Sequence, residues 1–128
     1  MAIHIVRLGT QRSAGEGPRL GTVRRPPRGV PKARFAKDDW YDLWLPELAP
    51  SEPLVKQALR ARSAREWRAF AKKYRREMMA PEKARLLDLL AILSKSSRFS
   101  VGCYCVDEAR CHRSVLRALL GERGAELA

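Results

Sequence analysis

Cys103, Cys105, Cys111 and His112 fall within one ten-residue window, C-Y-C-V-D-E-A-R-C-H, and Arg113 and Ser114 follow at once. All three cysteines of the chain and one of its two histidines lie there. Thiolates serve as nucleophiles, redox centres and soft metal ligands, while buried thiols are small hydrophobes. Four kinds of chemistry therefore compete for the window. An odd number of cysteines argues against a disulfide framework. A zinc site would use Cys103, Cys105, Cys111 and His112, and those ligand types suit zinc. The spacing C-x-C-x5-C-H is nevertheless unlike the usual knuckle, and neighbours such as Cys111 and His112 rarely serve one ion. No cofactor is predicted, with zinc as the alternative. A phosphatase-like or rhodanese-like loop needs a cysteine six positions before an arginine, whereas Cys105 stands five before Arg110 and eight before Arg113. A redox pair of Cys105 with Cys111 is allowed by the sequence. Cys103 taken alone reads as a buried hydrophobe.

The elements around the window decide which chemistry is open to it. Phe99 to Cys105 reads as a strand with apolar residues on both faces, and its period of two puts Phe99, Val101, Cys103 and Cys105 on one side. A last helix runs from about Cys111 with Val115, Leu116, Leu119 and Leu120 inward. At the amino end, Ile3 to Leu8 reads as a strand closed by Gly9, and Leu20 to Arg24 as a second short strand. Residues 10–18 form a flexible loop by composition. Residues 24–32, R-R-P-P-R-G-V-P-K, cannot be regular helix or central strand, because each proline lacks a donor and fixes φ. Asp39 to Pro46, with Trp40 and Trp44, reads as a core-covering loop or short helix. Ser51 caps one helix, and Ser63 with Glu66 forms a capping box for the next. There Trp67, Phe70, Tyr74 and Met78 recur at helical spacing as a buried stripe. Pro81 opens a third helix, whose Leu86, Leu87, Leu89, Leu90, Ile92 and Leu93 leave almost no polar face and predict extensive burial. The expectation is one α/β domain over residues 1–128, a small single domain with a short, mostly parallel sheet flanked by about four helices.

In such folds ligands collect beyond the carboxyl ends of strands, where helix N-termini present free N–H groups. Cys105 at a strand end and Cys111, His112 and Arg113 at a helix start match that location. The helix dipole and a nearby guanidinium lower a thiol pKa there, so Cys105 or Cys111 is a candidate thiolate.

The charge is +12 and uneven. Residues 1–37 carry nine Lys/Arg against Glu16 alone, residues 60–76 eight against Glu66, and residues 38–52 five acids with no base. Such a domain attracts polyanions, above all nucleic acid. The bland reading is that the acidic segment neutralises a basic face, and that Arg65, Arg68, Lys72, Lys73, Arg75 and Arg76 are merely solvated. No eighteen-residue apolar stretch exists, so no membrane span is expected. The apolar run at Ile3 is too short for a signal sequence, and the expected location is the cytoplasm.

Four blocks carry a resemblance: P-R-G-V at Pro27 to Val30, W-L-P-E-L-A-P-S at Trp44 to Ser51, W-R-x-F-x-x-x-Y-R-x-E-M at Trp67 to Met78, and C-Y-C-x5-C-H-R-S at Cys103 to Ser114. With them the chain, from about Leu20 onward, resembles the family catalogued as domain of unknown function 488. The resemblance implies a small α/β domain with a strand-end cysteine and a C-H-R helix start, here Cys105, Cys111, His112 and Arg113. A family R-x-W-P-R-G segment maps onto Arg24 and Arg28, with Pro26 standing where that tryptophan would be.

Two functions are open. The first is an enzyme with Cys105 or Cys111 as nucleophile or redox thiol and His112 adjusting its protonation. Arg24, Arg28, Arg113 and Ser114 would hold a phosphate-bearing ligand, a nucleotide or nucleic acid. Asp38, Asp39, Asp42 or Asp107 pairing with those arginines would remove the anion site. The second function is a non-catalytic basic protein that binds nucleic acid.

Overall fold

A computed structural model describes residues 2–128. Four strands form one sheet: β1 (Ile3–Arg7), β2 (Arg19–Gly21), β3 (Leu43–Trp44) and β4 (Phe99–Cys103). Their order is β1-β4-β2-β3 and every pairing is parallel. Helices α1 (Glu52–Arg60), α2 (Ala64–Glu77), α3 (Pro81–Leu93) and α4 (His112–Glu122) complete the domain. The expected α/β class with about four helices therefore holds, and the sheet is wholly parallel. No described helix is long and apolar enough to cross a membrane.

β4 is the central strand, buried at all five positions, which is why its sequence shows no polar face. It stops at Cys103 rather than at Cys105. Beside it, β1 ends at Arg7, and the Leu8 N–H gives the last ladder-like bond to the Cys103 carbonyl at 2.8 Å. Gly9 then turns the chain away with φ +87°, so nothing is left for Cys105 to pair with. The second strand is likewise shorter than Leu20–Arg24, and Leu43–Trp44 is an edge strand rather than a loop or helix.

The main core joins Ile3, Phe99 and Val101 of the sheet to Leu116, Leu119 and Leu120 of α4, to Phe70 and Tyr74 of α2 and to Met78 just after it. The Ser63 cap of α2 forms as the sequence predicts, accepting the Glu66 N–H at 3.1 Å. α3 departs from expectation. Leu87, Leu90 and Ala91 are buried, but Leu89, Ile92 and Leu93 are exposed, because the helix packs along one side against α4 alone among its major contacts.

A second, smaller cluster of Leu8, Val23, Tyr41, Cys103 and Cys111 closes the carboxyl end of the sheet. Gly21 makes it possible, since a Cβ there would come within 2.3 Å of the Tyr41 ring. The stretch at residues 10–18 is tied down by an inward charge. Arg19, 1% exposed, reaches Glu16 at 2.5 Å and donates to the carbonyls of Thr10 and Asp39 at 2.8 and 2.6 Å. Arg12 pairs with Asp39 and Asp42, and Arg34 with Asp38, so those acids are spent on residues outside the predicted anion site. Asp107 accepts the Ala109 N–H instead.

Candidate functional site

Loops leaving β2 and β4 meet the start of α4 at the carboxyl edge of the sheet. They supply Thr22 to Arg25, Cys103 to Cys105, and Cys111 to Arg113. The predicted Cys105, Cys111 and His112 stand at the same edge, and Cys103, buried in the apolar cluster as its reading predicts, lies beside them. Cys103 Sγ and Cys111 Sγ lie 2.7 Å apart, both buried and both free, while Cys105 is exposed. The Cys105 backbone N–H points at Cys103 Sγ at 3.3 Å.

Three sulfurs this close cannot all ionise, because like charges in a poorly solvated site repel. Hydrogen bonds to Cys105 and Cys111, with burial added, push the Cys103 thiol far up. Cys111 gains from its bond with Cys103, but the bond to Cys105 and burial win, and it rises to about 11. Cys105 goes the other way. The neighbouring Cys103 and then Cys111 thiols, followed by His112 and Arg113, hold its thiol well below the ordinary range against the opposing effect of burial. Of the three thiols, only the exposed Cys105 is pushed down.

His112 is fixed by its other nitrogen. Nε2–H donates to the Thr22 carbonyl at 2.6 Å, so Nδ1 carries the lone pair and faces Cys111 Sγ at 3.7 Å. Burial lowers the imidazole to about 4, leaving it neutral at neutral pH. Arg113 therefore supplies the standing positive charge. It is 3% exposed, its terminal amine donates to the Cys105 carbonyl at 2.6 Å, and its Nε is buried without a partner among the described residues.

Cys103, Cys111 and His112 place their ligand atoms within 4.8 Å of one another, a group that could hold a metal ion. The soft donors and the Nε2–H···O=C bond behind the imidazole fit zinc. The sulfur spacing does not. Two thiolates on one tetrahedral zinc stand about 3.8 Å apart, given Zn–S of about 2.3 Å, so the pair would have to spread from 2.7 Å.

A hollow of about 370 Å³ opens over the trio. Val55, Leu59 and Phe70 make its apolar wall, and Arg24, Arg25 and Arg110 also line it. The expected convergence of Arg24, Arg28 and Arg113 does not form. Arg24 gives its guanidinium to the carbonyls of Pro46, Ala49 and Pro50 at 3.0–3.1 Å. Arg28 lies in a neighbouring hollow. Arg113 is buried beneath the thiols, and Ser114 donates its hydroxyl to the Cys111 carbonyl at 2.9 Å. Arg25 and Arg110 take their place at the mouth, both exposed. Sequence reasoning missed them because both stand at unspecified positions inside the motifs, Arg25 within R-x-W-P-R-G and Arg110 within the x5 stretch. It also missed Thr22, whose only signal is that it follows β2.

The fold and site together define a small, all-parallel α/β domain with a thiol trio at the carboxyl edge of its sheet. Over residues 3–124 the chain matches the family model described as the active DUF488-N3 subclade, and it belongs to that family. No curated protein and no solved structure matches it.

Proposed function

We propose that the protein is an enzyme that uses the Cys105 thiolate on a phosphate-bearing substrate of the nucleotide type. One observation carries this reading: an exposed thiol, next to a buried pair of thiols 2.7 Å apart, lies in the wall of a hollow with an apolar side and an arginine mouth. Cys105 is the attacking group. Cys103 and Cys111 are positioning residues that hold its charge, His112 orients Cys111, and Arg113 stabilises the thiolate from below. A flat base suits the wall of Val55, Leu59 and Phe70, and Arg25 and Arg110 suit its phosphate. Free thiols in this arrangement call for a reducing compartment such as the cytoplasm.

The test is alkylation of the intact protein at neutral pH with and without a nucleoside monophosphate, read cysteine by cysteine. The reading expects Cys105 to be modified first and to be slowed by the nucleotide. Labelling that nucleotide does not slow would contradict it.

A second reading, a non-catalytic nucleic-acid binder, is favoured by the exposed bases of α2, Arg65, Arg68, Lys72, Lys73 and Arg76. It predicts binding that weakens steeply with salt, collapses on charge reversal along α2 and ignores alkylation of Cys105.

A further inference from the structure

A second hollow of about 470 Å³ adjoins the thiol hollow, and the two share Arg25 and Tyr104 as their common wall. Tyr104 is fixed in that wall. Its hydroxyl donates to the Arg25 carbonyl at 2.8 Å, and its own carbonyl accepts Arg7 Nε–H at 3.2 Å. The second hollow is lined by Arg7, Arg25 and Arg28, by Thr10, and by the aromatic rings of Trp40 and Tyr104. Among the described residues, no acidic side chain lines either hollow. Trp40 meets Tyr104 edge to face at 5.8 Å, and it is seated there by Gly9, whose missing Cβ would stand 2.6 Å from the indole. Arg28 is exposed and makes no ion pair among the described residues. Arg25 pairs with Glu52 at the surface, a contact that an incoming phosphate can displace.

Arginines without acids beside an aromatic face are what a nucleotide unit needs: cations for the backbone and a ring for the base. Two such hollows in contact have room for two neighbouring units of one strand. Resting on the thiol-pocket reading above, we infer that the substrate is single-stranded nucleic acid rather than a free nucleotide. The second hollow is its adjacent subsite, with Trp40 stacking the neighbouring base and Arg25 and Arg28 holding the phosphate between. A duplex keeps its bases stacked on one another and leaves none free for Trp40.

The experiment compares thymidine monophosphate with a short fluorescein-labelled oligo(dT), using the full chain and Arg28→Ala. Arg28 is exposed and outside the core, so the variant should fold, and Arg28→Lys serves as its conservative partner. The oligonucleotide should bind at least tenfold more tightly than the monophosphate. Arg28→Ala should weaken it about tenfold and lower the slope of log affinity against log salt by about one, and Arg28→Lys should restore most of both. Protection of Cys105 by the monophosphate should not change in Arg28→Ala. If the monophosphate protects Cys105 but the oligonucleotide binds no better, or Arg28→Ala leaves its affinity unchanged, the adjacent subsite is refuted and the thiol pocket stands. If the monophosphate does not slow labelling of Cys105, the thiol-pocket reading falls, and the inference built on it falls with it.

Discussion

Acidifying the protein from pH 7 to pH 5 should remove about 2 kcal/mol of folding stability through His112 alone. The ring is buried between Thr22 and the edge of Tyr74, and burial takes its pKa from 6.5 to about 4. A group whose folded pKa lies below its unfolded value binds protons preferentially in the unfolded chain, so stability increases with pH across the gap. The contribution is complete above about pH 6.5, declines as the pH falls, and is exhausted below about pH 4. Integrated from pH 7 to pH 5, that gap gives about 2 kcal/mol, a large share of the 5–15 kcal/mol typical of a domain. The carboxylates of Glu16, Asp42 and Glu108 are also held low, so their contributions are lost only below their ordinary range near 4. Between pH 6.5 and pH 5 His112 shares the window with Cys105 alone among the shifted groups, because a thiol held low in the folded state loses stability in the same direction as the pH falls. Urea unfolding at pH 7, 6 and 5 reads the combined effect, and His112→Gln should remove about 2 kcal/mol of the loss between pH 7 and pH 5 while leaving the slope that Cys105 contributes. A wild-type midpoint that stays constant over that range, or a variant that keeps the full slope, would refute the reasoning.

Two further outcomes bear on the frame that carries the hollows. Glu16→Gln leaves the Arg19 guanidinium buried with carbonyls but no counter-charge, and should cost about 3–5 kcal/mol in chemical unfolding, with little relief from added salt. Gly9→Ala forces a side chain onto a residue at φ +87° and against the Trp40 ring. It should destabilise by about 1–3 kcal/mol and shift the tryptophan emission, which a purely backbone effect would leave in place.

The sequence made periodic features legible and long-range pairings illegible. The α2 stripe, its capping box and the inward face of α4 follow from spacing of 3.6, and β4 from a short apolar run, because each signal is local. Burial of α3 was overestimated for the same reason. A helix apolar on every side reads as buried wherever it lies, and only the fold reveals that Leu89, Ile92 and Leu93 have no layer over them. The thiol site was legible as a cluster because Cys103 to His112 are contiguous. Its arginines were not. Arg24 is claimed by carbonyls more than twenty residues away, and Arg113 turns inward, which no local pattern encodes. Arg19 gave no sign of burial either, since its partners Glu16 and the Thr10 carbonyl sit in a stretch whose composition reads as loop.

The most direct test of the central claim is the alkylation rate of each cysteine as a function of pH, resolved by peptide mass spectrometry on the folded protein. Cys105 should react far faster than the others at pH 6 and change little up to pH 8, because its thiolate is already formed, while Cys103 and Cys111 stay slow throughout. A Cys105 rate that climbs about tenfold per pH unit toward the ordinary thiol value near 8.5 would contradict the account.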